Sequence, residues 1–376
     1  MVIYLDNAAT TPLAPELLAL LKDLNTNLYA NPSSLHSPGR AAKKQLNQAR
    51  KTIAAILKAE PEEIIFTSGA TEANNYVFQV CDYDLIITSP AEHASVLEPA
   101  KASGKNIIWL TLDKEGYINL EELKSQLEAN SERKILISLM HGNNEIGTIQ
   151  DIEAIAALKA QYSNVIFHSD CVQSFAKYDI DLSKTPIDLI SSSAHKIHGP
   201  KGVGLLYIKK ALQKNQALII GGGQEFSLRS GTENLNGIIA FAKAAQLSRE
   251  QSSKLEELHN YLYKELEQID GLIINGPQDA PKRLLGNINI SLSKLKLNSE
   301  ELVLQMDLKG IAISSGSACS SNKTGASIES SYVLRACQIE ESIASKAIRI
   351  SVSRFNNKAE LDQLSEIIHK LSAQFS

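Results

Sequence analysis

KILISLMHGNNEIGTIQDIEAIAALKAQYSNVIFHSD, residues 134 to 170, is the stretch on which the fold turns. An apolar run from Lys134 to Met140 gives way to a polar loop, a helical pattern from Ile152 to Tyr162 and a second apolar run from Asn164 to Asp170. Two short strands joined by a helix form a crossover between parallel neighbours, because a tight hairpin can only join antiparallel ones. Working outward, strand-like runs recur at Glu63 to Thr67, Asp84 to Thr88, Asn106 to Leu112, Asp188 to Ser192 and Gly204 to Lys209. Most are separated by helical segments such as Leu120 to Ala129. The expected fold is therefore α/β, with a mostly parallel seven-stranded sheet between helices.

Upstream, Arg40 to Lys58 places Ala42, Leu46, Ala49, Ile53, Ile56 and Leu57 near helical spacing, with Ser37-Pro38 as cap and first-turn proline. Downstream of Gly221-Gly222-Gly223, one long helical pattern runs from about Leu235 to Ile269, alanine-rich and then charged, as suits a helix bridging two lobes. Strands at Asn287 to Leu292, Ile311 to Ser315 and Ala347 to Val352, with helices at Ser299 to Lys309 and Lys358 to Ala373, make a smaller α+β unit. The expected division is a large domain of residues 13–255 and a small domain of residues 1–12 and 256–376.

A chain of 376 residues, at about 150 per domain, has room for two domains with sizeable cores. Its 43% hydrophobic and 21% charged residues exclude a disordered or coiled-coil chain. The net charge of −4, without a long basic run, speaks against direct nucleic-acid binding. No apolar stretch approaches the ~18 residues that span a bilayer. The start MVIYLDNAATTP has neither a basic leader nor a cleavage site, so a cytoplasmic protein is expected. The cysteines at 81, 171, 319 and 337 never fall as CxxC, which leaves no zinc ribbon, dithiol or other metal motif. Free cysteines are usually core fillers, and one of these is expected to be chemical.

In open α/β sheets ligands bind beyond the carboxyl ends of the strands. Ser68-Gly69-Ala70-Thr71-Glu72 follows one strand and opens a helix; it reads either as a phosphate cradle or as an ordinary helix cap. His141, Asn143, Asn144 and Glu145 follow Met140; Asp170 ends another strand; His195, Lys196 and His198 follow Ser193. A lysine so placed, in a partly desolvated site, can form a Schiff base with a carbonyl cofactor, and Asp170 can hold a protonated ring nitrogen. With a helix-start phosphate site, these are the parts that pyridoxal phosphate needs. Gly199-Pro200-Lys201-Gly202-Val203-Gly204 enters a strand instead of leaving one for a helix, and no GxxxxGK[ST] exists, so nucleotide loops are excluded.

These residues resemble the pyridoxal-phosphate-dependent cysteine desulfurases of the NifS/IscS-like group, within the class V aminotransferase superfamily of fold type I. The resemblance runs almost end to end, through YLDNAATTP (4–12), NPSSLH (31–36), GATEANN (69–75), EHASV (92–96), MHGNNEIGTIQDI (140–152), SAHKIHGPKGVG (193–204), GGGQE and RSGTEN (around 221–234), SSGSAC (314–319) and SYVLRA (331–336). It implies a Schiff-base role for Lys196, phosphate contacts from Ala70, Thr71, Ser193 and His195, and a further one from Thr232 on the neighbouring subunit of a homodimer. It likewise implies that His93 stacks on the ring and moves protons, and that Asp170 and Gln173 face the ring nitrogen and phenolic oxygen. Asn144 and Arg349 would clamp the substrate carboxylate, Arg354 being a weaker candidate. Cys319 resembles the nucleophile that takes sulfur from L-cysteine as a persulfide, leaving L-alanine, and the small domain would carry its loop.

The implied partner is a protein that accepts sulfur for iron–sulfur clusters, thio-cofactors or tRNA thiolation, with neither nucleic acid nor membrane bound directly. Selenocysteine lyase, cysteine lyase and aminotransferase chemistry are the alternatives within the superfamily, and a silent sulfur-relay subunit is a further one. The sequence departs from the group at Cys171, where alanine is usual, and at Phe226-Ser227, where Arg-Gly is common. The stretch from Cys319 to Ser331 is longer than in many relatives, and the chain ends soon after its last helix, without the tail that some relatives use to dock a scaffold.

Overall fold

In the computed structural model, which describes residues 2–213, 216–316 and 330–375, the apolar runs assemble into one seven-stranded sheet. Its order is Ile64–Thr67, Gly204–Ile208, Leu189–Ser193, Val165–Asp170, Ile135–Ser138, Leu85–Thr88 and Asn106–Trp109. Every neighbouring pair is parallel except those made by Gly204–Ile208, which runs antiparallel to both of its neighbours. Central strands such as Leu189–Ser193 and Ile135–Ser138 are buried throughout, because helices cover both faces. The edge strand Asn106–Trp109 is half exposed.

A second, antiparallel sheet has the order Ser314–Ser315, Ala347–Ser351, Asn287–Leu292 and Leu272–Asn275. The single strand expected from Ile311 to Ser315 is two: Ile311–Ala312 pairs in parallel with Ile3–Tyr4, while Ser314–Ser315 joins the antiparallel sheet. The pairing seats Ile3 and Leu5 in the hydrophobic cluster formed by residues 258 to 371. The start of the chain thus belongs, in packing, with its end.

Two helix readings are corrected. The continuous helix expected from Leu235 to Ile269 is broken into Leu235–Glu250 and Ser252–Glu267 at Gln251, whose φ of −117° and ψ of 19° are not helical. Each half serves a different core: Ile238 and Phe241 pack in the cluster under the large sheet, whereas Leu258, Leu262 and Leu266 pack against the small one. The cap of the helix Ser37–Leu57 is His36, whose Nδ1 accepts from the Gly39 N–H at 3.2 Å, and Ser37 is already inside the first turn. Among the described residues no helix is long and apolar enough to cross a membrane.

The GGGQE segment is anchored by a buried ion pair. Arg50 Nη1 and Nη2 donate to Glu225 Oε2 and Oε1 at 2.7 and 2.6 Å, and the Phe66 N–H donates to Glu225 Oε2 at 2.9 Å. These contacts hold three successive left-handed residues, Glu225, Phe226 and Ser227, with φ of 48°, 57° and 66°. The unusual Phe226 lies under the Arg50 guanidinium, 5.0 Å from ring centroid to Cζ. Glu225→Ala leaves that guanidinium buried without its counter-ion, and should lower unfolding stability by about 3–5 kcal/mol in a urea titration. A loss below about 1 kcal/mol would show that the pair does not hold this loop.

Candidate functional site

The carboxyl ends of the central strands open onto a cleft of about 640 Å³, within the ~300–1,000 Å³ usual for small-molecule sites. On one side is the start of the helix Ala70–Val80, whose N-cap is Gly69 and whose first turn has no side-chain cap. Backbone donors with the positive end of the helix dipole therefore face the cleft. Gly204 explains how this turn is held: a Cβ there would lie 2.6 Å from the Gly69 Cα, so strand and turn approach as only glycine allows. Ser193, Thr71, His195 and Lys201 complete this polar end.

His195 is fixed by Thr10 Oγ1, 3.1 Å from its Nδ1. Burial, with Lys196 and Lys201 nearby, pushes its pKa down to about 4, so the ring is neutral at pH 7. Its carbonyl accepts from the Thr11 N–H and hydroxyl at 3.0 and 2.8 Å, which laces the NAATTP segment to this turn. Lys196 ends the short turn Ala194–Lys196, and its Nζ donates to the carbonyls of Ala8 and Ala9 at 2.6 and 2.7 Å. Gln173 Nε2 donates to the same Ala8 carbonyl at 2.9 Å.

Asp170, at the end of its strand, accepts from Asn74 Nδ2 at 2.9 Å and from the Val172 N–H at 3.0 Å. Asn74 also donates to Ser95 Oγ at 2.8 Å, and Ser95 Oγ lies 2.8 Å from His93 Nδ1. His93 Nδ1 accepts the Ser95 N–H at 3.1 Å, which assigns any ring proton to Nε2. Burial lowers the His93 pKa, while Asp170 opposes and Lys196 reinforces the shift. A neutral imidazole and a carboxylate are thus held in one hydrogen-bonded frame on the cleft wall.

At the other end, Arg349 Nη2 donates to Asp6 Oδ1 at 2.8 Å and Nη1 to the Asn144 carbonyl at 3.1 Å. The guanidinium is 5% exposed and its Nε has no hydrogen-bond partner. Glu145, beside it, accepts the Ser331 hydroxyl, and burial raises its pKa to about 7 against the opposing pull of Ser331 and Arg349. A Cβ on Gly316 would come within 2.8 Å of Glu145 Oε2, so a side chain there would displace that carboxyl group.

The cleft therefore gathers Ala70, Thr71, His93, Asn144, Asp170, Gln173, Ser193, His195, Lys196 and Arg349. Thr232 is exposed and does not line it. Cys319 lies outside the described residues. Arg354 lines a different cavity, and His141 is buried away from the cleft. Cys171 is fully buried, its thiol pKa pushed up to about 12 by burial, as befits a packing residue. Sequence reasoning did not assign roles to Asn74, Ser95, Asp6 and Glu145; Asn74 and Ser95 stood within GATEANN and EHASV, but only their contacts reveal their work.

Residues 3–364 match the family described as aminotransferase class-V. Cysteine desulfurase IscS of Dictyoglomus turgidum is 40% identical, over 98% of this chain and 95% of that protein. The mitochondrial cysteine desulfurase of Candida albicans is 39% identical, over 98% of this chain and 76% of that protein. Among solved structures, a NifS-like protein superposes with a TM-score of 0.89 at 33% identity, over the whole of both chains. SspA in complex with cysteine superposes with a TM-score of 0.78 at 32% identity, over 94% of this chain and all of that one.

Proposed function

The chain belongs to the aminotransferase class-V family, and from that premise we propose that it is a cysteine desulfurase: with pyridoxal phosphate in the cleft it converts L-cysteine to L-alanine and passes the sulfur through Cys319 to a protein acceptor. The residues present fit the cofactor. The uncapped start of the helix Ala70–Val80, with Thr71, Ser193 and His195, would hold its phosphate. Lys196 would hold its carbonyl carbon, Asp170 its ring nitrogen and Gln173 its phenolic oxygen, with His93 against the ring. When bound, pyridoxal phosphate supplies an electron sink that weakens bonds at the substrate α-carbon.

The protein supplies the rest. Arg349 and Asn144 would orient the substrate carboxylate, and the Asp6 contact keeps the guanidinium in place before cysteine arrives. Lys196 Nζ can take and return a proton at the α-carbon, and His93 Nε2 can hold one beside it. The sulfur step balances without an outside oxidant: the substrate C–S bond breaks, an S–S bond forms to Cys319, the Cys319 thiol proton is released, and the methyl group of alanine gains one.

The observation that carries this reading is that Lys196, His93 and Asp170 share one cleft with Arg349 and with Gly316, three residues before Cys319. In this reading residues 13–255 bind the cofactor, residues 1–12 and 256–376 carry Arg349 and Cys319, and the protein works in the cytoplasm. The deciding assay measures products from L-cysteine and a thiol: alanine and sulfide in equal amounts are expected. Pyruvate with ammonia, or a keto acid without sulfide, would overturn the reading in favour of a lyase or an aminotransferase.

Exposed Thr232 would complete the phosphate site of a second copy, so the working unit is a homodimer. Light scattering should return twice the 41.0 kDa of one chain. An active, cofactor-loaded monomer would exclude the shared site.

A further inference from the structure

A second cavity, of about 40 Å³, shares Ala8, Gln173 and Lys196 with the cleft but is otherwise built from different residues. It lies where the two cores meet: Ser353 and Arg354 follow the last strand of the small sheet, and Lys177 comes from the segment after the strand Val165–Asp170. A buried water needs roughly 10–15 Å³ of such space, so the cavity admits a group of a few heavy atoms.

Its polar lining is unbalanced. Arg354 is 4% exposed, and its Nε, Nη1 and Nη2 all lack a hydrogen-bond partner. Its guanidinium lies over the Phe355 ring, 4.8 Å from the centroid, and the carboxylates that act on it, Glu16 and Glu250, are exposed and act at a distance. Lys177 also faces this space; burial lowers its pKa to about 8, and no carboxylate offsets that shift. His198, on the same wall, donates from Nδ1 to the Pro12 carbonyl at 2.9 Å and is neutral at pH 7, its pKa lowered to about 4 chiefly by burial.

Two acceptors stand unused beside these donors. Asn7 Nδ2 donates to the Ser351 carbonyl at 2.7 Å and Asn287 Nδ2 to the Asn144 carbonyl at 2.8 Å, which fixes both amide orientations. Both Oδ1 atoms are buried without a partner. A buried guanidinium with no counter-ion is among the costlier arrangements in a protein, and an ion bound beside it would offset that cost.

We propose that this cavity binds one small oxyanion bearing an O–H, of the hydrogenphosphate class, with its charged oxygens on Arg354 and Lys177 and its O–H directed to Asn7 or Asn287. The anion ties the two cores together at the point where the chain passes from one to the other. Nothing in this depends on the reaction assigned to the cleft.

The test uses protein saturated with pyridoxal phosphate, melted in inorganic phosphate, sulfate or formate at constant ionic strength set with chloride. Phosphate should raise the melting temperature saturably by several degrees, with sulfate and formate weaker because neither carries an O–H at pH 7. Arg354→Met and Lys177→Met should each abolish the phosphate-specific rise; if Arg354→Met does not fold, Lys177→Met, at a half-buried position, decides alone. Phosphate captured by the cleft instead would respond to Thr71→Ala and not to Lys177→Met. A flat response in the unaltered protein, or an equal rise in it and in Lys177→Met, overturns the site. Sulfate acting more strongly than phosphate overturns the O–H assignment.

Discussion

Lys196→Ala should leave a folded protein that neither retains pyridoxal phosphate through gel filtration nor makes alanine from cysteine. The amine sits at the meeting point of the cleft, on the carbonyls of Ala8 and Ala9 at 2.6 and 2.7 Å, and can both bind a carbonyl carbon and shuttle a proton. Loss of proton transfer alone is worth roughly 10²–10⁴ in rate, and loss of cofactor retention adds to it. The melting temperature should change little by comparison, because the site is open and the carbonyls left behind are reachable by water. Borohydride reduction of the unaltered protein should fix the cofactor to the peptide that contains Lys196. A label on another lysine, or a variant keeping more than about a tenth of the rate, would remove Lys196 from the chemistry.

The second large effect separates the two halves of the reaction. Cys319→Ser should keep the cofactor and still respond spectroscopically to cysteine, because Lys196, His93 and Asp170 are untouched, yet sulfide release and the persulfide should fall by roughly 10²-fold or more. Serine keeps the volume and loses the strong nucleophile. Cys171→Ser and Cys337→Ser should keep most of the rate. Burial pushes both thiols up to about 12, so at pH 7 neither is held as the thiolate that attacks sulfur. Intact-mass measurement after cysteine turnover reads the persulfide directly. Persulfide lost in Cys171→Ser but kept in Cys319→Ser would reverse the assignment.

By itself the sequence determined the layered α/β class, because strand and helix periodicities are short-range properties that each segment carries alone. It also located much of the cleft, since Ala70, Asn144, Asp170 and Lys196 stand at or just past the end of an apolar run, where an open sheet places its ligands, whereas His93 was carried over from the family resemblance alone. What lay beyond it were contacts set by packing. Asp6 meets Arg349 across 343 positions, Glu145 meets Ser331 across 186, and Asn74 reaches Asp170 across 96. No local pattern encodes those separations. The break at Gln251 was hidden for the same reason: the helical period continues on either side, and only the presence of two cores, each claiming half, decides that the chain must turn there. The cavity around Arg354 and Lys177 is likewise a product of how those cores meet: the sequence offered Arg354 as a weaker candidate for the substrate clamp and gave Lys177 no role, and only tertiary packing buries the first and half-buries the second on one cavity wall.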